Sequence, residues 1–202
     1  MSPVASVLVV VLVAIVIPQV APSRNAKPDP SRASKRLMKE LKKFYESDSY
    51  KNNVFTVELV NNNLYEWRVK LFKVDPDSRL DKDLKRLRAE GEKDYIILHL
   101  LYPENYPFSP PFVRVVYPHM YSVNQFILTG GVICTELLTE NGWSSAYTIE
   151  SLILQIAVLV AGAKVDPNKG SGMPPYSYEM AKKTYDTYLA NKSWPRKPKD
   201  QL

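Results

Sequence analysis

A chain of 202 residues with 45% hydrophobic and 11% aromatic residues can bury a core, which excludes wholesale disorder. Its single cysteine, Cys134, excludes an intramolecular disulfide and a cysteine-rich zinc site, and the two histidines lie far apart in sequence, so no metal site is expected. One cysteine also favours a reducing compartment.

The net charge of +6 is concentrated in one stretch. Residues 24–43 contain eight basic and two acidic side chains, which accounts for the whole excess. A nucleic-acid groove spread over the domain is therefore not predicted. The pattern indicates instead one basic helix, which is either an ordinary solvated face or a docking site for an acidic partner.

The N-terminus is apolar: residues 4–17 read VASVLVVVLVAIVI, and Pro18 follows. The run is shorter than the about 20 residues of a membrane span, and it lacks the preceding basic residues of a secretory signal. By the positive-inside rule, the basic cluster after it predicts a cytosolic domain with residues 4–17 as a marginal anchor and the sole membrane contact. The alternative is an unstructured extension. We expect a cytoplasmic or cytosol-facing protein, with the nucleus also open.

Four parts are expected along the chain. Residues 1–20 form the apolar segment, residues 21–31 a proline-rich linker, residues 32–193 the core domain and residues 194–202 a basic tail. The core domain is predicted to begin with a helix capped by Ser31 or Ser34. Its apolar stripe has helical spacing and consists of Leu37, Leu41, Phe44 and Tyr45.

Alternating apolar residues predict four strands, at residues 54–60, 64–74, 94–101 and 112–117. A charged helix is predicted at residues 78–90, and the proline-rich stretch YPENYPFSPP separates the last two strands. Two helices follow a long irregular region, one opened by the cap residue Thr148 and one near residues 176–191. Successive strands without crossovers predict an α+β fold: a four-stranded antiparallel meander flanked by an N-terminal helix and C-terminal helices.

Cys134 lies in TGGVICTELLTENGWSS, and two interpretations are open. A free cysteine is usually a small buried apolar residue. As a nucleophile it lacks a neighbouring histidine or second cysteine, which disfavours protease or redox chemistry. Thioester exchange asks less, because the thiol only has to accept and release an activated acyl group. Gly130 and Gly131 permit close backbone approach, which fits either a groove for a peptide tail or a tight turn.

The combination of segments resembles the ubiquitin-conjugating enzymes. YEWRVKL, YPENYPFSPPFVRV, GGVICTELL and GWSSAYTIESLILQI follow that family's order and spacing over about residues 34–191, and the closest resemblance is to its Q class. The resemblance implies that Cys134 accepts ubiquitin from the activating enzyme as a thioester. ATP is then consumed by that enzyme, so no cofactor is expected here. Trp143 is expected to pack near the active-site loop, either as a structural aromatic or with a catalytic role.

The sequence departs from the family upstream of the cysteine. Most members have a His-Pro-Asn motif there, whereas this chain has only His119 and Asn124 in VYPHMYSVNQF. Either residue could serve as an oxyanion donor or base, or be an ordinary loop residue. Downstream, Asp166 matches the family's acceptor gate, although a D-P turn is the simpler interpretation. The Q class is associated with hydroxyl as well as lysine acceptors, and a hydroxyl acceptor needs a stronger base.

The resemblance also implies partners, namely ubiquitin, the activating enzyme, a ubiquitin ligase and a protein substrate. The surface expected to meet the activating enzyme comprises Lys35, Lys39 and Lys42. For the ligase, an exposed Tyr102 is expected to act as an interface anchor, unless it packs against the proline-rich loop. The second ligase-binding loop comprises Ser144, Ser145 and Ala146.

We therefore predict a ubiquitin-conjugating enzyme that passes ubiquitin from Cys134 to a substrate amine or hydroxyl, alone or with a ligase. The alternative is a non-catalytic ubiquitin- or ligase-binding variant of the same fold, which the missing His-Pro-Asn motif favours. A third class, an interaction domain without the active-site cysteine, is opposed by Trp143 and by the helix after Thr148.

Overall fold

The computed structural model describes residues 30–121, 126–167 and 176–188. The apolar segment 1–20, most of the linker, the tail 194–202 and Asn124 lie outside these ranges. Helix α1 spans Pro30–Glu46 and thus begins inside the predicted linker. Proline suits the first helical position, where its missing N–H is not needed. The predicted caps are therefore wrong, because Ser31 and Ser34 lie inside the helix.

The apolar stripe of α1 is narrower than predicted. Leu37 and Phe44 are buried, Leu41 is half-buried, and Tyr45 is exposed and packs edge-on against Tyr50, with the ring centroids 5.1 Å apart. Tyr50 belongs to the short helix α2, Asp48–Lys51. Tyr45 therefore packs beside the core rather than within it.

Four strands form one antiparallel sheet in the order β1-β2-β3-β4. Their bounds are β1 Phe55–Leu59, β2 Glu66–Leu71, β3 Ile96–Leu101 and β4 Phe112–Tyr117. The charged helix α3, Arg79–Ala89, lies between β2 and β3 and falls within the helix predicted at residues 78–90. Ser78 caps its N-terminus. The predicted α+β class and the four-stranded meander with flanking helices are confirmed.

The remaining elements bring the C-terminal half onto this sheet. A second, two-stranded sheet pairs β5, Met120–Tyr121, with β6, Lys164–Val165, and was not predicted. Helix α4, Ile149–Val160, has the predicted Thr148 cap. The Thr148 side chain accepts from the Ser151 amide, and the Ser151 side chain accepts from the Thr148 amide in return. Helix α5 spans Tyr178–Tyr188. Within the described ranges, no helix is both long and apolar enough to cross a membrane.

The two faces of the four-stranded sheet have different contents. The inner face carries Trp67, Leu98 and Val113 into the main core, which also includes residues of α1, α3 and α4. The outer face is covered near β3 and β4 by α5, where Ala181 and Tyr185 pack in a smaller apolar cluster with Leu101, Phe112 and Val132. Alternation of side chains along each strand separates these two layers.

Candidate functional site

Cys134 lies at the end of a segment that is fastened to the sheet. Val132 forms an isolated antiparallel bridge with Arg114, and the Ile133 amide donates to the Val113 carbonyl at 3.1 Å. The Cys134 amide donates to the Phe126 carbonyl at 2.8 Å. Val132 and Ile133 are buried, whereas the free thiol residue is only half-buried. The backbone is thus fixed while the residue keeps partial exposure to solvent, as a nucleophile requires.

Gly130 and Gly131 form a tight turn three to four residues before the cysteine. Both have positive φ, +79° and +80°, which favours glycine. A Cβ on Gly130 would lie 2.5 Å from the Ala181 amide nitrogen, and one on Gly131 would collide with the Val115 carbonyl. The backbones that approach closely belong to this chain itself. The tight-turn alternative is therefore correct, and the idea that these glycines form a groove for the modifier's tail is wrong.

The structure brings His119 and Asp166 together. The Asp166 amide donates to the His119 carbonyl at 2.9 Å, directly beside the β5–β6 pairing. The His119 ring packs on Tyr176 with ring centroids 4.1 Å apart. Asp166 immediately precedes a turn at Pro167, as the simpler interpretation expected. Asn124, the other upstream candidate, lies outside the described residues.

Tyr176 links this pair to the cysteine segment. Its hydroxyl donates to the Met120 carbonyl at 2.7 Å and accepts from the Met120 amide at 3.1 Å. Its ring lies 3.0 Å from the position that a Cβ on Gly131 would occupy. Burial raises the pKa of Tyr176, although its hydrogen bond to the Met120 backbone acts in the opposite direction. The hydroxyl therefore remains a donor at neutral pH. No motif in the sequence pointed to this contact.

Trp143 has a structural role in the loop after the cysteine. It is buried, and its indole N–H donates to the Pro107 carbonyl at 2.7 Å. Its ring also faces Tyr106 and Tyr147. The side chain thereby joins the segment after Cys134 to the proline-rich loop.

The expected exposure of Tyr102 is wrong. Its side chain is only 4% exposed and packs against Trp67 and Tyr106, with centroid distances of 5.0 and 5.2 Å. The alternative, packing against the proline-rich loop, describes it correctly. The exposed aromatic of this loop is Phe108, at 38%, with the Arg32 guanidinium 5.8 Å from its centroid. The sequence could not separate the two, because each is an aromatic residue next to a proline.

The other predicted surface residues lie on two neighbouring elements. Lys35, Lys39 and Lys42 are all exposed on α1. Ser144 and Ser145 are half-buried and Ala146 is exposed in the turn before α4. Arg36 joins the two elements by donating to the Ser145 and Tyr147 carbonyls at 3.2 and 2.8 Å. Glu40 reinforces this junction by accepting from the Ile149 amide at 3.1 Å.

Comparison with known proteins adds independent information. The family described as ubiquitin-conjugating enzyme matches residues 36–193. Ubiquitin-conjugating enzyme E2 Q1 of Homo sapiens is 44% identical over 172 residues, which cover 84% of this chain and 40% of that protein. Ubiquitin-conjugating enzyme E2 25 of Caenorhabditis elegans is 43% identical over 175 residues, covering 84% and 44%.

A more distant relative is similar over most of its own length. Ubiquitin-conjugating enzyme E2-22 kDa of Drosophila melanogaster is 29% identical over 167 residues, which cover 80% of this chain and 72% of that protein. By contrast, this chain spans less than half the length of the E2 Q1 and E2 25 proteins. The match to the family extends over most of the chain and includes the Cys134 segment. The chain therefore belongs to the ubiquitin-conjugating enzyme family, within its Q class.

Proposed function

We propose that this chain carries ubiquitin as a thioester on Cys134 and transfers it to a substrate amine or hydroxyl. The observation that supports this most is the half-buried thiol at the end of a backbone segment fixed to β4. In the first step the Cys134 thiolate attacks the thioester carbonyl on the activating enzyme, whose own cysteine leaves as a thiolate. In the second step the acceptor attacks the new thioester and the Cys134 thiolate leaves.

The second step needs a destination for the acceptor's proton. An amine attacks with its lone pair and loses its proton afterwards, whereas a hydroxyl must lose its proton during attack. His119, just before β5, and Asp166, just after β6, are joined by a backbone hydrogen bond and are the candidates for orienting or deprotonating the acceptor. Asn124 stays a candidate oxyanion donor on sequence grounds alone.

Three exposed surfaces support specific contacts with these partners. The basic face of α1, formed by Lys35, Lys39 and Lys42, would meet an acidic surface of the activating enzyme. For the ligase, Phe108 takes the place that Tyr102 was expected to hold, since its ring is exposed. The turn of Ser144, Ser145 and Ala146 completes that surface, because Arg36 holds it against α1.

A charging assay with activating enzyme, ATP and ubiquitin tests the proposal. The wild-type chain is expected to give a shifted band that reducing agent removes, and Cys134→Ala is expected to give none. Thr135→Ala, a neighbouring half-buried change, is the matched control and should still charge. A wild-type chain that folds but never charges would contradict the proposal and favour a ubiquitin- or ligase-binding variant.

The acceptor class can be read from the discharge products. Hydroxylamine cleaves oxyesters and leaves amide bonds intact. Products that survive it contain lysine-linked ubiquitin, and products that disappear contain hydroxyl-linked ubiquitin. Cys134→Ser and Cys134→Lys add a check, because their conjugates are an ester and an amide and differ in the same way.

A further inference from the structure

Three buried polar side chains form a row across the outer face of the sheet. Glu66 on β2, His99 on β3 and Arg114 on β4 are exposed at only 4%, 5% and 6%. His99 Nε2 lies 2.7 Å from Glu66 Oε1, and Arg114 Nε donates to His99 Nδ1 at 3.2 Å. We call these three residues the outer-face triad. It uses one of the only two histidines in the chain.

The hydrogen bonds fix the state of His99. A guanidinium only donates, so Nδ1 must accept from Arg114 and carries no proton. Nε2 therefore bears the hydrogen and donates it to Glu66. Burial lowers the pKa of His99, with the Glu66 hydrogen bond opposing this effect, so the imidazole is neutral at neutral pH. The triad thus holds the Arg114 guanidinium in a single orientation.

The oriented guanidinium reaches the segment before α5. Arg114 Nη1 donates to the Tyr176 carbonyl at 2.9 Å. Tyr176 is held in addition by its amide, which donates to the Val116 carbonyl at 3.2 Å, and by the two bonds between its hydroxyl and Met120. Its ring lies against Gly131, three residues before Cys134. The main chain of Arg114 bridges Val132 at the same time. Arg114 therefore restrains the cysteine segment from two sides.

We propose that Arg114, oriented by Glu66 and His99, is a positioning residue for Cys134. The inference rests on the proposed role of Cys134 as the acyl carrier. A buried polar triad is weak evidence for a stabilising role, because apolar residues of similar volume often serve equally well in such sites. What apolar residues cannot supply is the directional bond to the Tyr176 carbonyl. That bond keeps Tyr176 against Gly131 and keeps the thiol at a fixed, half-buried position.

The test compares two replacements at His99. His99→Gln retains an acceptor for Arg114 and a donor for Glu66, whereas His99→Leu removes both. Arg114→Met removes the guanidinium itself. Tyr185→Ala is the matched control, because it weakens the packing of α5 on the sheet without touching the triad. The Tyr185 ring packs on Phe112 with ring centroids 5.4 Å apart. Circular dichroism establishes that each variant is folded at the assay temperature.

Two readouts are measured on the folded variants. The first is the rate of Cys134 alkylation by iodoacetamide, which needs no ubiquitin and reports one site, because the chain has a single cysteine. The second is the discharge rate of the fully charged protein to free lysine. With His99→Leu and Arg114→Met, we expect faster alkylation of the released segment and discharge slowed by roughly 10- to 100-fold, as misplacement of a reacting group causes.

His99→Gln and Tyr185→Ala are expected to behave like the wild type in both readouts. In the double variant His99→Leu/Arg114→Met, discharge should be no slower than in Arg114→Met alone, because both substitutions act through the bond from Arg114 to the Tyr176 carbonyl. Wild-type rates in His99→Leu and Arg114→Met would overturn the proposal. So would an equal reduction of the discharge rate in His99→Leu, His99→Gln and Tyr185→Ala. If the wild type did not charge, the function proposed for Cys134 would fail, while the alkylation rates would still decide the positioning role.

Discussion

Glu66 and Trp67 are adjacent in β2 and lie on opposite faces of the same sheet. Trp67 is fully buried against Phe44 and Tyr102 in the main core. Glu66 is nearly as buried, yet it contacts His99 in a polar row whose His99 and Arg114 face Tyr178 of α5. Side chains buried to the same extent therefore have two different roles in this protein. On the inner face it stabilises the fold through apolar area, and on the outer face it orients a guanidinium.

The largest effect is expected on the inner face. Trp67→Ala removes a fully buried ring and the indole bond to the Leu64 carbonyl, so the free energy of unfolding should fall by about 3–5 kcal/mol. Urea unfolding followed by circular dichroism measures it. The matched control is Phe72→Ala, just beyond β2, where the ring is 37% exposed and the loss should be roughly 1 kcal/mol. Equal losses would show that the inner face is not the main source of stability.

The next effect separates polarity from volume on the outer face. Glu66→Ala leaves the buried Nε2–H of His99 without its acceptor and should cost about 1–3 kcal/mol. The triple variant Glu66→Leu/His99→Leu/Arg114→Met removes all three polar groups and should regain most of that loss. Thermal unfolding of the two variants makes the comparison. A triple variant less stable than Glu66→Ala would mean that the triad itself stabilises the fold.

A smaller, pH-dependent effect is expected from His99. Burial lowers its pKa below the ordinary value of 6.5, so the unfolded chain binds a proton at higher pH than the folded chain does. In the window between the folded pKa and about 6.5 the unfolded state holds more protons, and the free energy of unfolding therefore falls as the pH is lowered. The charged and titratable groups that face His99 are Glu66 and Arg68 on β2, Arg114 on β4 and Tyr178 on α5.

His99→Gln has no titrating group at this position and should show a flatter stability profile through that window. Denaturant unfolding of both proteins at several pH values measures the difference between them, which cancels the titration of all other groups. Parallel profiles would contradict a buried neutral His99.

The smallest effect is expected where the outer face is uncovered. Glu58 lies 3.7 Å from Arg68 and 3.4 Å from Lys70, but all three side chains are substantially exposed. Glu58→Gln should change the free energy of unfolding by less than about 1 kcal/mol, since exposed ion pairs are screened by water and salt. A loss as large as that of Glu66→Ala would show that burial by α5 does not distinguish the two ends of this face.

The sequence by itself determined the order of the four longer helices and the four strands of the main sheet, the Thr148 cap and the family context of Cys134. Each of these depends on local patterns, namely the spacing of apolar residues along an element, the capping residue of a helix or a short motif. The wrong predictions also came from considering only neighbouring residues. The caps at Ser31 and Ser34 failed because the preceding Pro30 already suits the first helical turn.

Only the tertiary structure decided which residues meet across long separations. Tyr102 and Phe108 look alike in sequence, yet packing against Trp67 buries the first and leaves the second exposed. The glycines before Cys134 were compatible with a groove or a turn until α5 and β4 filled the space beside them. Three hydrogen bonds connect Glu66 to Tyr176 through His99 and Arg114, and their partners lie 33, 15 and 62 positions apart in the sequence. The pairing of β2, β3 and β4 and the docking of α5 bring those side chains together, and both depend on contacts between residues far apart in the sequence.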